Sequence, residues 1–147
     1  MLAHDWVDVQ ATFVEVQSRR AQALRRFATR LDLQHRIEVV EERAEVVAHD
    51  HVHRERYDLV TARSFGPPAV AAETAAGLVR MSGWLVVSEP PGGALDRWAR
   101  DPMHELGFGA PALATANGAS YMATQKQRPT LSEIPRNATK LAKQPLW

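Results

Sequence analysis

An arginine directly follows the most strand-like segment of this chain. The segment "YDLVTA", residues 57–62, is short, apolar and β-branched, which is typical of a buried strand. Arg63 comes next, and the "SFGPP" that follows it cannot extend the strand. A guanidinium at this position can hold a carboxylate or a phosphate through two parallel hydrogen bonds. The alternative is a salt bridge to Asp58 or Glu89.

Acidic side chains lie at the ends of two earlier candidate strands. "ATFVEV", residues 11–16, carries Glu15 near its end, where a carboxylate can accept hydrogen bonds from both ribose hydroxyls of a nucleoside. After "RIEVVEE", residues 36–42, come Ala44, which is small enough for a planar base to lie against the backbone, and Glu45, which can pair with an exocyclic amine. The alternative for both acids is a solvated face.

The elements that would position these residues alternate between strand and helix. "SRRAQALRRFATRLDL" has helical spacing, with Ser18 as a candidate N-cap. "PAVAAETAAGLVRM" is a helix opened by proline and ended by Gly83, and "WLVVSE" is the next strand. "ALDRWARDPMHELGF" is an amphipathic helix interrupted near Pro102. "APALATAN" and "ASYMATQKQ" form a hairpin around Asn117-Gly118.

This order predicts an α/β fold with a mostly parallel sheet and an antiparallel C-terminal hairpin. In such sheets ligands bind beyond the carboxyl ends of the strands, which is where Glu15 and Arg63 are expected.

Composition excludes several classes of function. The chain has 147 residues, a net charge of +1 and no cysteine, which excludes a disulfide framework and thiolate metal sites and favours a cytoplasmic protein. No apolar run reaches membrane-spanning length, and the first residues lack the pattern of a signal peptide, so no membrane partner is expected. His49, His51 and His53 alternate in a polar connection, and we predict solvent-exposed histidines rather than a metal site.

Positive charge is concentrated near the C-terminus. Residues 126–147 carry five basic side chains against Glu133 and have a net charge of +4, which leaves −3 for the rest of the chain. Such a segment indicates an anionic partner, with a solvated extension as the alternative. The basic residues are Lys126, Arg128, Arg136, Lys140 and Lys143.

The order of these segments resembles the RsmG (GidB) family. The likeness is carried by "VEVQSRRAQALRRFATRLDL", "ERAE", "YDLVTARSF", "LVRMSGWLVVSE" and "IPRNATKLAKQPLW", and it covers nearly the whole chain. Members of this family are bacterial S-adenosylmethionine-dependent methyltransferases that modify guanine N7 in 16S ribosomal RNA. The resemblance implies a Rossmann-like class I methyltransferase sheet, a role in rRNA processing, S-adenosyl-L-methionine as the cofactor, and 16S ribosomal RNA or the small ribosomal subunit as the partner.

The resemblance also implies roles for individual residues. Glu15 stands at the family's acid for the cofactor ribose, and Ala44 and Glu45 stand at the adenosine-contacting pair. Arg63 stands at the arginine near the cofactor and the reaction centre, so it is both a cofactor-binding and a catalytic candidate. The basic residues of the C-terminal segment fall where RNA-phosphate contacts are expected, namely Lys126, Arg128, Arg136, Lys140 and Lys143.

The chain departs from the family pattern at its start. "MLAHDW" looks like the last turn of the family's first helix, so the first strand and the glycine-rich loop that precede that helix are expected to be lacking. The strands at residues 11–16 and 57–62 would then need another neighbour, by direct pairing, from a second copy in a homodimer, or from an upstream fragment. Residues 1–127 are predicted to form a partial methyltransferase domain, with residues 128–147 as a basic tail packed on it or extending from it.

Three functions follow from this sequence. The first is methylation of guanine N7 in 16S ribosomal RNA, by this chain or by the enzyme of which it is the C-terminal part. The second is an inactive remnant that binds RNA or a partner chain. The third is a nucleotide-binding α/β protein with other chemistry.

Overall fold

A computed structural model describes residues 8–147 and divides the chain into two compact units, Met1–Val47 and Ala48–Trp147. The helical turn predicted for residues 1–6 lies outside the described residues. Among residues 8–147, none of the helices has both the length and the apolar character needed to cross a bilayer.

Within its described residues, 8–47, the first unit has two strands and two helices. Strand β1, Ala11–Val14, pairs in parallel with β2, Ile37–Val40. Helix α1, Ser18–Arg30, connects these two strands, and α2, Ala44–Val47, follows β2. Parallel pairing brings the carboxyl ends of β1 and β2 to one edge, where the candidate residues Glu15 and Ala44 follow their strands.

The start of helix α1 differs from the prediction. Its N-cap is Gln17 rather than Ser18, and no side chain caps it. The hydroxyl of Ser18 instead donates to Glu41, which also accepts from Arg25. These two donors, Ser18 first, lower the pKa of the Glu41 carboxyl.

The second unit contains a four-stranded mixed sheet in the order β3-β4-β6-β5. Strands β3 and β4 are parallel, whereas β6 pairs antiparallel with both β4 and β5. The elements, in chain order, are β3 (Tyr57–Ala62), α3 (Pro68–Ala76), β4 (Val79–Glu89), a 3-10 turn (Leu95–Arg97), α4 (Arg100–Glu105), β5 (Ala112–Ala116), β6 (Ala119–Gln125) and α5 (Ala138–Lys143).

The core of this unit forms where α3 packs on the sheet. Helix α3 is rich in alanine, and its small side chains allow a close approach to β4. The larger core side chains come from the sheet and from the segment after β4, with Trp98, Met103 and Phe108 almost completely buried. This packing fixes the chain that enters and leaves the carboxyl end of β4.

Two predicted boundaries in this unit were wrong. The helix opened by Pro68 ends at Ala76, and strand β4 begins at Val79, well before the expected start at Trp84. Gly83 lies inside β4, where an added Cβ would come within 2.9 Å of the Tyr57 carbonyl oxygen. Glycine is therefore required here by a close approach of neighbouring strands and does not mark the end of an element.

The hairpin prediction is confirmed. Asn117 and Gly118 have φ angles of 50° and 74° and connect β5 to β6, as the two-residue turn requires. The predicted α/β class with parallel strand pairs and a C-terminal antiparallel hairpin is also confirmed.

Direct pairing of the first and third strands is not formed among the described residues. Strand β1 is an edge strand of the two-stranded sheet, and β3 is an edge strand of the four-stranded sheet. Residues 128–147 fall within the second unit, and the domain division after residue 127 stays a prediction.

Candidate functional site

A pocket of about 300 Å³ lies at the carboxyl ends of β3 and β4. Its walls come from the loop after β3, the end of β4, the segment after β4 and the start of α3. This is the edge at which an open α/β sheet binds its ligands. The polar and aromatic side chains that line it include Arg63, Phe65, Ser88, Glu89, Arg97 and Trp98.

The fixed point of this pocket is Glu89, whose side chain is 2% exposed. One oxygen of its carboxylate accepts from Arg97 at 2.5 Å, and the other accepts from the indole Nε1 of Trp98 at 3.1 Å. A buried carboxylate needs such partners, because an unpaired one would lose its hydration without replacement. Glu89 therefore holds the Arg97 guanidinium at the pocket while the Arg97 side chain remains 41% exposed.

Arg63 lines the same pocket. Asp58 is paired with Arg80, and Glu89 is paired with Arg97, so neither predicted salt bridge of Arg63 is formed. Within residues 8–147, Arg63 has no hydrogen bond or ion pair. The charged groups of the pocket are two guanidiniums and one carboxylate, so its net positive charge favours an anionic or strongly polar ligand.

The predicted ribose contact, Glu15, lies just beyond the end of β1. Its side chain is 21% exposed, its Oε1 accepts from the backbone N–H of Gln17 at 2.9 Å, and its Oε2 lies 3.9 Å from Arg20. A carboxylate has about four acceptor positions, so this one retains capacity for a pair of vicinal hydroxyls. The donor and acceptor chemistry of Glu15 fits a ribose.

The predicted adenosine contacts, Ala44 and Glu45, begin helix α2. Ala44 is half-buried and Glu45 is buried, so Glu45 does not belong to a solvated face. One oxygen of Glu45 accepts from Arg43, and the other has no hydrogen-bond donor among residues 8–147, so it can accept from an amine. Both residues follow β2 at the same edge as Glu15, and this set fits a nucleoside.

Lys126 has a structural environment. Its side chain is fully buried, and its ammonium donates to the carbonyl oxygens of Ala76 at 2.8 Å and Leu106 at 3.2 Å and to the hydroxyl of Thr130. The ammonium also lies 5.0 Å from the centre of the Phe108 ring. An ammonium held in this way is not presented to a partner, so we propose no RNA-phosphate contact for Lys126.

Arg136 is also engaged within the fold. Its backbone N–H and its Nε both donate to one oxygen of Glu73 at 2.8 Å, and a terminal nitrogen donates to the other oxygen at 2.6 Å. Glu73 is completely buried on α3, so this bidentate pair anchors the C-terminal segment to the core of the second unit. Leu141 of α5, which is also buried, adds an apolar contact from the same segment.

The other three basic residues of the segment are more accessible. Arg128 is exposed and donates to the carbonyl oxygen of His104. Lys140 and Lys143 are exposed on α5, whose N-cap, Asn137, accepts from the Lys140 backbone N–H. These three exposed side chains are accessible to an RNA partner.

The prediction of exposed histidines was wrong for His53. It is buried, and its Nδ1 lies 2.6 Å from the hydroxyl of Tyr57. His49 is exposed overall, but its Nε2 lies 2.6 Å from the carbonyl oxygen of Pro135. Only His51 has a fully exposed ring of the three. Local sequence does not indicate these contacts, because the fold brings their partners into place.

Comparison with known families bears directly on this site. The family model described as rRNA small subunit methyltransferase G (GidB) matches residues 1–89, which include the three nucleoside-contact candidates and the Arg63 strand end. The chain belongs to this family. The matched residues therefore include strands β1 to β4 and end at Glu89, the last residue of β4.

Two curated relatives carry the name ribosomal RNA small subunit methyltransferase G. The protein from Roseiflexus castenholzii is 38% identical over 89 residues, which cover 60% of this chain and 37% of that protein. The protein from Chloroflexus aggregans is 31% identical over 150 residues, which cover 92% of this chain and 59% of that protein. This GidB chain thus spans about a third to three fifths of the length of these relatives.

Solved structures agree on the fold. A predicted O-methyltransferase from Agrobacterium tumefaciens has a TM-score of 0.65 and 18% sequence identity, and the match covers 88% of this chain and 69% of that one. At this level of identity the likeness supports the Rossmann-like methyltransferase fold alone. It gives no information about activity or substrate.

Two pocket residues were missed by sequence analysis. Glu89 was considered only as a partner for Arg63, and Arg97 was not considered at all. They are eight positions apart with a glycine-containing turn between them, so they do not belong to one helix or strand. The available signal is weak. It consists of a buried strand that ends in an acid and an amphipathic segment with an arginine that follows it.

Proposed function

We propose that this GidB chain takes part in the S-adenosylmethionine-dependent methylation of guanine N7 in 16S ribosomal RNA. The observation that carries the proposal is Arg63, which has no partner within the described residues 8–147 and lies in a positively charged pocket at the carboxyl ends of β3 and β4. Membership of a family described as rRNA small subunit methyltransferases supports the reaction class. The proposal further specifies guanine N7 as the methylated atom and 16S rRNA as the substrate.

In this proposal S-adenosylmethionine supplies an electrophilic methyl group on its sulfonium sulfur. Glu15 accepts from the ribose hydroxyls, Ala44 lets the adenine lie close to the backbone, and Glu45 accepts from the exocyclic amine. Residues 1–65 contain no glycine, so close approach of the backbone to a nucleoside relies on alanine positions in this part of the chain.

The acceptor asks little of the protein. Guanine N7 has a free lone pair and carries no proton, so methylation forms an N–C bond as the S–C bond breaks and requires no general base. Positioning and electrostatics are then the main contributions of the chain. Arg63 either holds the carboxylate of S-adenosylmethionine or orients the acceptor through a donor to guanine O6 or to a phosphate, and both contacts leave the N7 lone pair free for attack.

The RNA contacts belong to exposed basic residues. Arg128, Lys140 and Lys143 supply cations for phosphates, and contacts of this kind weaken as salt rises because bound counterions are released on association. Arg136 contributes indirectly by anchoring the segment through Glu73.

The proposal is tested by calorimetric titration of S-adenosylmethionine and by methyl transfer to small ribosomal subunits. We expect the wild-type chain to bind the cofactor and to produce 7-methylguanine in 16S rRNA. Arg63→Ala should lower cofactor affinity or methyl transfer about 10- to 100-fold, which corresponds to one charged hydrogen-bonding group. The matched control is Arg56→Ala, an exposed arginine outside the pocket.

Each alternative function has its own signature in this experiment. RNA binding without cofactor binding would contradict the methylation proposal and support an RNA-binding protein without catalysis. Displacement of the ligand by ATP or NAD but not by S-adenosylmethionine would support a nucleotide-binding protein with other chemistry. Equal activity of wild type and Arg63→Ala would refute the role given to Arg63.

A further inference from the structure

Helix α1 has an unusual charge pattern. Its 13 residues, "SRRAQALRRFATR", include five arginines and no acidic residue. This helix lies in a part of the chain, residues 1–125, whose net charge is −3, so the overall composition conceals it.

Three of these arginines have no partner among residues 8–147. Arg25 donates to Glu41 at 2.9 Å and to the Val39 carbonyl oxygen at 3.2 Å, and Arg20 lies 3.9 Å from Glu15. The remaining three are exposed and make no hydrogen bond or ion pair within residues 8–147. We call these three residues, Arg19, Arg26 and Arg30, the arginine stripe.

The stripe lies on one face of the helix. At 3.6 residues per turn, positions 19, 26 and 30 fall within about 40° of one another and extend about 16 Å along the axis. The buried residues of the helix, Ala21 and Ala28, lie on the opposite side. The three guanidiniums therefore project from the face that is turned away from the first unit's packing.

Repulsion within the stripe works against the stability of the helix. The helix dipole adds no net term, because it disfavours Arg19 in the first turn and favours Arg30 in the last turn by a similar amount, about 0.3–1 kcal/mol each. Arg26 and Arg30 are like charges at i and i+4, which repel each other by a few tenths of a kcal/mol. A solvated helix face usually carries acids that relieve such repulsion, and this one carries none.

We propose that the arginine stripe binds the phosphate backbone of structured RNA and is a second RNA-binding surface in addition to the basic residues of the C-terminal segment. The choice of RNA as the anionic partner rests on the proposed function. Bound phosphates would remove the repulsion within the stripe and fit the planar donors of arginine. All of the cations on α1 are arginines, although the chain uses lysine elsewhere.

RNA fits this face better than an anionic membrane does. The positions that flank the stripe are Gln22, Ala23 and Thr29, which are polar or small, and Phe27, which is exposed and lies about 60° around the helix from Arg30. Membrane-surface helices place several large apolar side chains beside their cations, so that these enter the acyl region. One phenylalanine beside three arginines does not form such an apolar face.

The test compares two triple variants of the full chain that have the same change in net charge. The first is Arg19→Gln, Arg26→Gln and Arg30→Gln, and the control is Arg56→Gln, Arg80→Gln and Arg100→Gln, which removes three exposed arginines of the second unit. Each is titrated with a labelled RNA hairpin of small-subunit rRNA over a range of KCl concentrations, without S-adenosylmethionine. A third variant with lysine at the three stripe positions retains the charge.

We expect the stripe variant to weaken RNA binding at least about tenfold near physiological salt. The slope of log K against log salt should fall by about 2 to 3, since each phosphate contact contributes about 0.9. The control should change the slope by less than about 1, and the lysine variant should keep most of the wild-type slope. Glutamine is a good helix former and removes the repulsion within the stripe, so the circular dichroism melt of the stripe variant should lie at or slightly above that of the wild type.

Equal effects of the stripe variant and its control would overturn the proposal, because they would show a response to net charge alone. Binding of the wild type to vesicles of anionic phospholipid but not to the RNA hairpin would overturn it as well. The outcome is distinguishable from failure of the proposed function, since a chain that neither binds S-adenosylmethionine nor transfers methyl groups still gives a measurable RNA slope.

Discussion

The buried ammonium of Lys126 makes the stability of this protein depend on pH. Burial, the largest cause, lowers the pKa of Lys126 from 10.5 to about 8, while Glu55 raises it and Arg54 lowers it. We expect Lys126→Met, which keeps an unbranched side chain of similar length, to remove this dependence.

The direction follows from proton binding in the two states. Between pH 8 and 10.5 the unfolded chain holds a proton on Lys126 that the folded chain has already released, so the free energy of unfolding rises with pH. The gap between the two pKa values corresponds to about 3 kcal/mol, or about 1 kcal/mol for each pH unit across this window. Below pH 8 the cation is present in both states, and this contribution is lost.

The assay is urea unfolding, followed by circular dichroism, in buffers from about pH 7 to 10.5. The difference in unfolding free energy between wild type and Lys126→Met should grow by about 3 kcal/mol over this range, because other titrating groups are common to both chains. At neutral pH the variant should be less stable, since the carbonyl oxygen of Leu106 loses its donor. Lys143→Met, which removes an exposed lysine, should run parallel to the wild type. Parallel curves for Lys126→Met as well would refute the reasoning.

Two further predictions concern buried polar groups of α3. Glu73→Gln should lower the free energy of unfolding by about 3 kcal/mol or more in urea, because it leaves the Arg136 guanidinium without its counter-charge, and a loss below about 1 kcal/mol would contradict the anchoring role. Thr74→Val should raise the free energy of unfolding by about 1 kcal/mol, since its buried hydroxyl has no hydrogen-bond partner among the described residues. The matched change Thr124→Val should lower it by a similar amount, because that hydroxyl donates to the Gly109 carbonyl oxygen at 2.8 Å, and the same sign for both threonine variants would be inconsistent with this account.

Local patterns in the sequence predicted the parts of the fold that local physics determines. Strand β3 and the Asn117-Gly118 hairpin were found because β-branched apolar runs and positive φ angles leave direct marks on residue type. The segment "GLVRM" was assigned to a helix by its apolar content, yet it belongs largely to β4, where tertiary pairing with β3 and β6 overrides propensity.

The candidate site was predictable in position but not in its internal contacts. Topology alone places Arg63 and Glu15 at carboxyl ends of strands, and the structure agrees. Whether Arg63 is free depends on Arg80 taking Asp58 and on Arg97 taking Glu89. Such competition between several cations for a few carboxylates is decided by the three-dimensional arrangement, and a reading of residue types cannot resolve it.

The distribution of charge illustrates why a count of basic residues is a poor guide to a binding surface. Of the five basic residues near the C-terminus, Lys126 and Arg136 are enclosed by backbone carbonyls and by a buried carboxylate, and both hold the fold together. The arginine stripe of helix α1 differs, since it lies in a region with net negative charge and its guanidiniums have no hydrogen bond or ion pair among residues 8–147. A cation that the fold has already neutralised adds little to the binding of a polyanion, whereas an unpaired one can exchange its counterions for phosphates. The salt slope therefore tests the two groups separately, and it should respond to the stripe and not to Lys126.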